Sequence, residues 1–276
     1  MRMLTRSLRS AHLALGNLGI RITPPATSQG RAQRLSRLPL GYLRSKYGPY
    51  LVNGGPDATY LMSVGGTYGP FISDILAAQD APFVLLDIGA NVGIFSLVAA
   101  EMTNCVEVFA FEPNPEVHSA LQANIRLNRA AVTAFPLAIS SGTAGGRMLR
   151  VPDNHSGGAT FRDLNLPDEL HQEIRVETVN RVFLNELAPK VDELPQETEL
   201  RVVCKIDVEG HESEVLDELF ASKVGDLIRE VVVECDGRFH AEGVAGIEQR
   251  LGACGFTLVA KSGSEEHFDA HWVRTA

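Results

Sequence analysis

The stretch Phe83–Ala100 (FVLLDIGANVGIFSLVAA) constrains the fold of this chain more than any other. Phe83–Ile88, apolar except for Asp87, lies between Pro82 and Gly89, the pattern of a strand buried on both faces. Gly89-Ala90-Asn91-Val92-Gly93 then makes a tight turn, and IFSLVAAEM follows with helical character. Strand, glycine turn and helix in this order point backbone N–H groups and a helix N-terminus at a ligand. Glycine is needed where the chain turns sharply and a ligand comes close to the main chain.

A second strand, Val106–Phe111, ends in Glu112. An acidic residue there, 20–25 residues after the first loop, suits the two hydroxyls of a ribose and so fits any nucleoside cofactor. The loop chemistry narrows the choice. A pyrophosphate calls for G-x-G-x-x-G with no acid nearby, whereas this loop opens with Asp87. That argues against a nicotinamide dehydrogenase. A carboxylate at this point suits a cation, and S-adenosylmethionine carries both a sulfonium and an α-ammonium. The competing role for Asp87 is a cap on the loop or helix.

Asn114–Asn128 reads as the second helix, with Pro115 in its first turn and Val117, Leu121 and Ile125 on one face. Val132–Leu137 is expected as the third strand, which places Ala138, Ile139 and Ser140 where an adenine would lie. Arg201–Ile206 is a further buried strand and runs into Asp207-Val208-Glu209-Gly210-His211-Glu212. Three carboxylates and an imidazole at a strand tip are costly unless they bind something. Ligands of open α/β sheets lie beyond the carboxyl ends of the strands, so Asp87, Glu112 and Asp207 are expected to converge. Glu212 reads as a first-turn acid favoured by the helix dipole. The strand Glu230–Glu234 has Cys235, Asp236 and Gly237 beyond it, and Val244–Leu251 reads as a helix. Gly255–Ala260 and His267–Arg274 are expected to close the sheet as an antiparallel hairpin.

The charge distribution bears on partners. Residues 1–56 hold eight Arg, one Lys and no acid, while the rest carries 34 acidic against 16 basic side chains. An acidic body disfavours nucleic acid as a substrate. Residues 1–45 are read as a basic N-terminal extension, helical over residues 2–22, that packs on its own body or forms a homodimer contact. Pro24 and Pro25 mark a hinge, and Tyr47–Pro70 is expected to be irregular structure that could close over a pocket. No stretch of about 18 apolar residues predicts a transmembrane segment, and no cleavage site marks secretion. The four cysteines are widely spaced without a C-x-x-C pair, as for buried free thiols in a reducing compartment, and a cytoplasmic location is expected.

Taken as they stand, LLDIGANVGIFS, FAFEPNP, HSGGAT and KIDVEGHE resemble the FkbM family of S-adenosylmethionine-dependent methyltransferases, over roughly Phe71 to Phe256. The resemblance implies an α/β, Rossmann-like class I methyltransferase domain over residues 46–276, with a seven-stranded sheet in order 3-2-1-4-5-7-6 and strand 7 antiparallel. It implies O-methylation of a hydroxyl on a sugar or polyketide-type small molecule in natural-product or glycan tailoring. Asp87, Gly89, Asn91 and Gly93 would line the methionine part. Glu112 and Pro113 would hold the ribose side, Ala138, Ile139 and Ser140 the adenine, and Asp207 the region between strands. His155, Gly157, Gly158, Glu234 and Asp236 are candidates for the acceptor. The family often has Ser-Asp where this chain reads Ile139-Ser140-Ser141.

Methyl transfer from a sulfonium needs alignment and a base for the acceptor's proton. His211 is the first candidate, because an imidazole of ordinary pKa titrates near neutrality, followed by Asp207, Glu209 and His155. Mg²⁺ on Asp207, Glu209, Glu234 and Asp236 is a less favoured expectation than a metal-free site. The alternatives are a cofactor-binding module without catalysis, and a methyltransferase acting on a protein.

Overall fold

The computed structural model describes residues 41–52, 54, 55, 57–141, 145–163, 171–192, 201–237 and 244–275. The expected helix over residues 2–22 and its hinge lie outside these. The main sheet is built from β3 (Phe83–Ile88), β4 (Cys105–Phe111), β5 (Thr133–Phe135), β9 (Arg201–Ile206), β10 (Ile228–Asp236), β11 (Phe256–Gly263) and β12 (His267–Arg274). Its spatial order is β11-β12-β10-β9-β3-β4-β5. Numbered along the chain within the sheet, that is 3-2-1-4-5-7-6 as expected, and β12 runs antiparallel to both its neighbours.

Alternation along β3 explains the layering. Val84, Leu86 and Ile88 face one apolar cluster, which takes side chains from α5 (Arg181–Asp192), α6 (Glu212–Phe220), α7 (Lys223–Leu227) and α8 (Val244–Ala253). Phe83 and Leu85 face the other, built with α1 (Ala58–Gly65), α2 (Pro70–Ala77), α3 (Ile94–Ala100) and α4 (Pro115–Asn128). A strand covered by helices on both faces is apolar wherever a side chain has no polar partner, and β3 is buried throughout, with Asp87 as its one charged residue. Asn114 caps α4 by accepting from the Glu116 and Val117 N–H groups, with Pro115 at the first helical position.

Three expectations are corrected. The single strand Val132–Leu137 is two, because Pro136 has no N–H for the ladder. β5 stops before it, and β6 (Leu137–Ile139) joins β8 (His171–Val179) and β7 (Gly145–Pro152) in a separate three-stranded sheet. Tyr47–Pro70 is largely regular: β2 (Tyr50–Val52) pairs with β1 (Tyr42–Arg44), and α1 starts at Asp57, whose Oδ1 accepts from the Tyr60 N–H at 2.8 Å. Gly66, at φ 66°, closes that helix. Of the four cysteines, all free thiols, Cys204 and Cys235 are buried but Cys105 and Cys254 are only half-buried. No helix among the described residues is long and apolar enough to cross a membrane.

Candidate functional site

At the carboxyl tips of β3, β4 and β9 lies a cleft of about 630 Å³, counted to its mouth. From the sequence-derived set it is lined by Gly89, Asn91, Glu112, Pro113, Ala138, Ile139, Gly157, Asp207, Glu209 and His211. Asp87, Gly93, Ser140, His155, Gly158, Glu234 and Asp236 are not among its lining residues. Tyr68, Phe111, Leu149 and Phe161 are among the further lining residues and had not been expected there.

The glycine turn is locked from behind. Gly89 has φ 77°, and a Cβ on it would overlap the carbonyl oxygen of Asp207. Gly93, at φ 87°, caps α3 and leaves no room for a side chain against Leu121. Asp87 is fully buried. Its Oδ2 accepts from Ser96 Oγ at 2.6 Å, and its Oδ1 lies 3.2 Å from Lys205 Nζ. A lysine two residues before Asp207, which the sequence did not mark as a partner, thus stands beside the Asp87 carboxylate. Lys205, 2 % exposed, donates to the Gly89 carbonyl at 2.6 Å and stands 3.6 Å from Asp207 Oδ2. Burial alone would lower its pKa, but Asp87 and Asp207 outweigh it and hold the ammonium at about 12.

Glu112 does face the cleft. Its Oε2 accepts from the Asn91 N–H and its Oε1 from the Asn114 N–H, both at 2.9 Å, so one carboxylate ties the glycine turn to the start of α4. Burial raises its pKa to about 7, and the two N–H donors pull it back. Ser156 and Gly157 approach from the other side. Ser156 donates its N–H to Asp57 at 2.6 Å, and the Gly157 N–H meets Thr59 Oγ1 at 3.0 Å, which clamps this loop to the start of α1. The His155 carbonyl accepts from the Gly158 N–H at 3.0 Å, and burial lowers its imidazole pKa.

At the β9 tip, Asp207, Glu209 and Glu234 bring one carboxylate oxygen each within 4.8 Å of one another. Glu209 sits at φ 50°, which few non-glycine residues adopt, and its carbonyl accepts from Thr160 Oγ1 at 2.6 Å. Burial, then repulsion from Glu234 and Asp207, lifts the Glu209 carboxyl well above its ordinary range. Glu234 is raised in the same way by burial and by Asp207, and Asp269 to about 6 by burial and by Asp207. These three carboxylates have the oxygen donors that a hard divalent cation takes. Lys205 already brings a cation to Asp207, and His267 Nε2 sits 2.7 Å from Glu234. Asp236, the fourth residue of the expected Mg²⁺ set, is not in the group.

His211 lines the cleft but is not poised near neutrality. Burial pushes its pKa down to about 4, Glu214 opposing and Arg147 assisting. Its Nε2 lies 3.2 Å from Ser140 Oγ and 3.3 Å from Glu214 Oε2, and its ring meets Phe161 edge-on at 4.9 Å. Ser140 is occupied in the same network, accepting from Arg147 Nη1 at 2.5 Å. Ser140 lies beside His211, while its neighbours Ala138 and Ile139 line the cleft.

The strand order with its antiparallel seventh strand, and a cleft at the tips of strands 1, 2 and 4, define the class I methyltransferase fold. Residues 87–258 match the methyltransferase FkbM domain, and the chain belongs to that family. It is 31 % identical over 144 residues to the hexuronic acid methyltransferase AglP of Haloferax volcanii, covering 51 % of this chain and 52 % of that protein. It is 32 % identical over 183 residues to the methyltransferase sdnD of Sordaria araneosa, covering 58 % and 69 %. The chain thus spans about half the length of the first relative. Among solved structures, M. jannaschii TYW2 in complex with AdoMet is similar at 14 % identity and TM-score 0.42, covering 84 % of this chain and 85 % of that one.

Proposed function

We propose that this chain is an S-adenosylmethionine-dependent O-methyltransferase that acts on a hydroxyl of a small molecule of sugar or natural-product type. The observation that carries the reading is one cleft that holds a strand-tip carboxylate, Glu112, a glycine turn, and the acidic pair Asp207 and Glu209. Membership of the FkbM family and the names of its relatives, one a hexuronic acid methyltransferase, support it.

The residues fit the cofactor. Glu112 would accept the ribose hydroxyls, Gly89 and Asn91 would flank the methionine part, and Ala138 and Ile139 would cover the adenine. When bound, S-adenosylmethionine supplies an electrophilic methyl whose bond to sulfur breaks as the bond to the acceptor oxygen forms. One carboxylate of the Asp207 and Glu209 pair takes the single proton that the acceptor hydroxyl gives up. A carboxylate held above its ordinary pKa is a stronger proton acceptor once ionised, and a sulfonium beside it favours that ionised form. His211, held neutral by burial, lines the same cleft with its ring edge-on to Phe161 and is the alternative acceptor for that proton.

The test is transfer of label from methyl-tritiated S-adenosylmethionine to hexuronic acids and polyhydroxylated natural products, alongside thermal melting. S-adenosylmethionine is expected to raise the melting temperature where NAD does not. A chain that neither binds S-adenosylhomocysteine nor is stabilised by S-adenosylmethionine contradicts the reading.

A further inference from the structure

Tyr68 comes from the turn between α1 and α2, outside residues 87–258 that match the family domain. Its hydroxyl donates to Asp207 Oδ2, and it lines the same cleft as Asp207 and Glu209. Everything around it is arranged to hold it there. Tyr47 Oη donates to the Tyr68 carbonyl at 2.6 Å. The Tyr68 ring packs on Phe95 at 5.4 Å between centroids, and Tyr47 packs on the same ring at 6.5 Å. The next residue, Gly69, has φ 63° and room for no side chain against Phe95. A phenol serving only as apolar wall would need none of this alignment, and phenylalanine would fill the space.

Asp207 follows directly from β9 and stands among like charges, with Glu209 and Glu234 close by. Left to itself, a carboxylate in such a group swings to reduce repulsion. The Tyr68 hydroxyl and the Lys205 ammonium both meet Asp207 Oδ2, from the α1–α2 turn and from within β9 respectively. One hydrogen bond and one nearby ammonium on the same oxygen together favour a single rotation of the carboxyl group about its bond to the chain.

We propose that Tyr68 is a positioning residue for methyl transfer, aligning the Asp207 carboxylate on the side of the cleft that the transferable methyl faces. This rests on the cofactor reading given above. With the ribose on Glu112 at the tip of β4 and the glycine turn at the tip of β3, the sulfonium lies toward the tip of β9, where Tyr68 and Asp207 meet. The segment preceding the matched domain is then part of the reaction site and not only a support for it.

Two ligands separate this inference from the cofactor reading. S-adenosylhomocysteine lacks the methyl and its positive charge. Sinefungin carries an ammonium-bearing carbon where the sulfonium methyl would be. Calorimetric titration of the full chain with each ligand, for wild type, Tyr68→Phe, Asp207→Asn and the double variant, gives the test. Wild type is expected to bind sinefungin about tenfold more tightly, because its ammonium meets the aligned carboxylate. Tyr68→Phe is expected to keep S-adenosylhomocysteine affinity within about twofold while its preference for sinefungin falls about fivefold. In the Asp207→Asn background, removing the Tyr68 hydroxyl should change the preference no further. If Tyr68→Phe does not fold, Tyr47→Phe, which releases the Tyr68 carbonyl, is expected to show the same selective loss. A wild-type preference retained in the variant that folds overturns the proposal, as does a loss that adds in full to that of Asp207→Asn. A wild-type chain that binds S-adenosylhomocysteine but gains nothing with sinefungin overturns this proposal alone. One that binds neither overturns the cofactor reading as well.

Discussion

Lys205 Nζ donates to the carbonyl oxygen of Gly89 at 2.6 Å, joining the tip of β9 to the glycine turn that follows β3. The same ammonium meets Asp87 at 3.2 Å. Two strands that would otherwise bring Asp87 and Asp207 together as like charges are thus bridged by one buried cation.

Lys205→Met leaves that pair of carboxylates facing each other in a buried site. Removing one partner from a buried charge network costs about 3–5 kcal/mol, because the remaining charge stays unpaired. Chemical denaturation is expected to show a loss of that order. Asp87→Asn in the same chain should recover part of it by removing the charge left behind.

Gly89→Ala tests how close the two strand tips come. The backbone there is at φ 77° and the added methyl would overlap the Asp207 carbonyl oxygen. The variant is expected to lose about 2 kcal/mol or more through strain and forced displacement. Its affinity for S-adenosylhomocysteine should fall at least tenfold, measured by calorimetry on the folded fraction.

Glu112→Gln separates two roles of one side chain. The amide has one acceptor oxygen in place of two, so either the Asn91 or the Asn114 N–H loses its partner. A lower melting temperature is expected, by about 1–3 kcal/mol of stability. A loss of nucleoside affinity beyond tenfold should accompany it if Glu112 also accepts the ribose hydroxyls.

His211 makes stability depend on pH in a defined window. Its folded pKa of about 4 lies below the ordinary value of 6.5, so between these the unfolded chain binds more protons. Stability is therefore expected to be complete above about pH 6.5 and to fall as pH drops toward 4, by on the order of 3 kcal/mol. His211→Gln should flatten that part of the profile, read from urea midpoints at a series of pH values. An unchanged slope would place the buried imidazole elsewhere.

The large sheet was legible because its central strands are mostly apolar, and the bounds of Phe83–Ile88 and His267–Arg274 agree with the sequence expectation. Glu112 and the KIDVEGHE segment were legible for a related reason: acids at the ends of apolar strands have few other uses. What was not legible depended on pairings across the fold. Asp87 looks identical in sequence whether it meets a ligand or Lys205, and only the register of β3 beside β9 places Asp87 opposite Lys205. Tyr68 carries no local signal, since its partner is 139 residues away. The split at Pro136 was readable in principle, because a proline inside a strand run ends its ladder. The start of α1 was also marked, by Asp57 before the helix and Gly66 after it.

The most direct test is the crystal structure of the chain with S-adenosylhomocysteine bound. The nucleoside should lie at the tips of β3 and β4 with its ribose hydroxyls on Glu112, and its sulfur should point toward Asp207 and Glu209. A ribose bound away from Glu112, or a sulfur turned away from the β9 tip, would contradict the account.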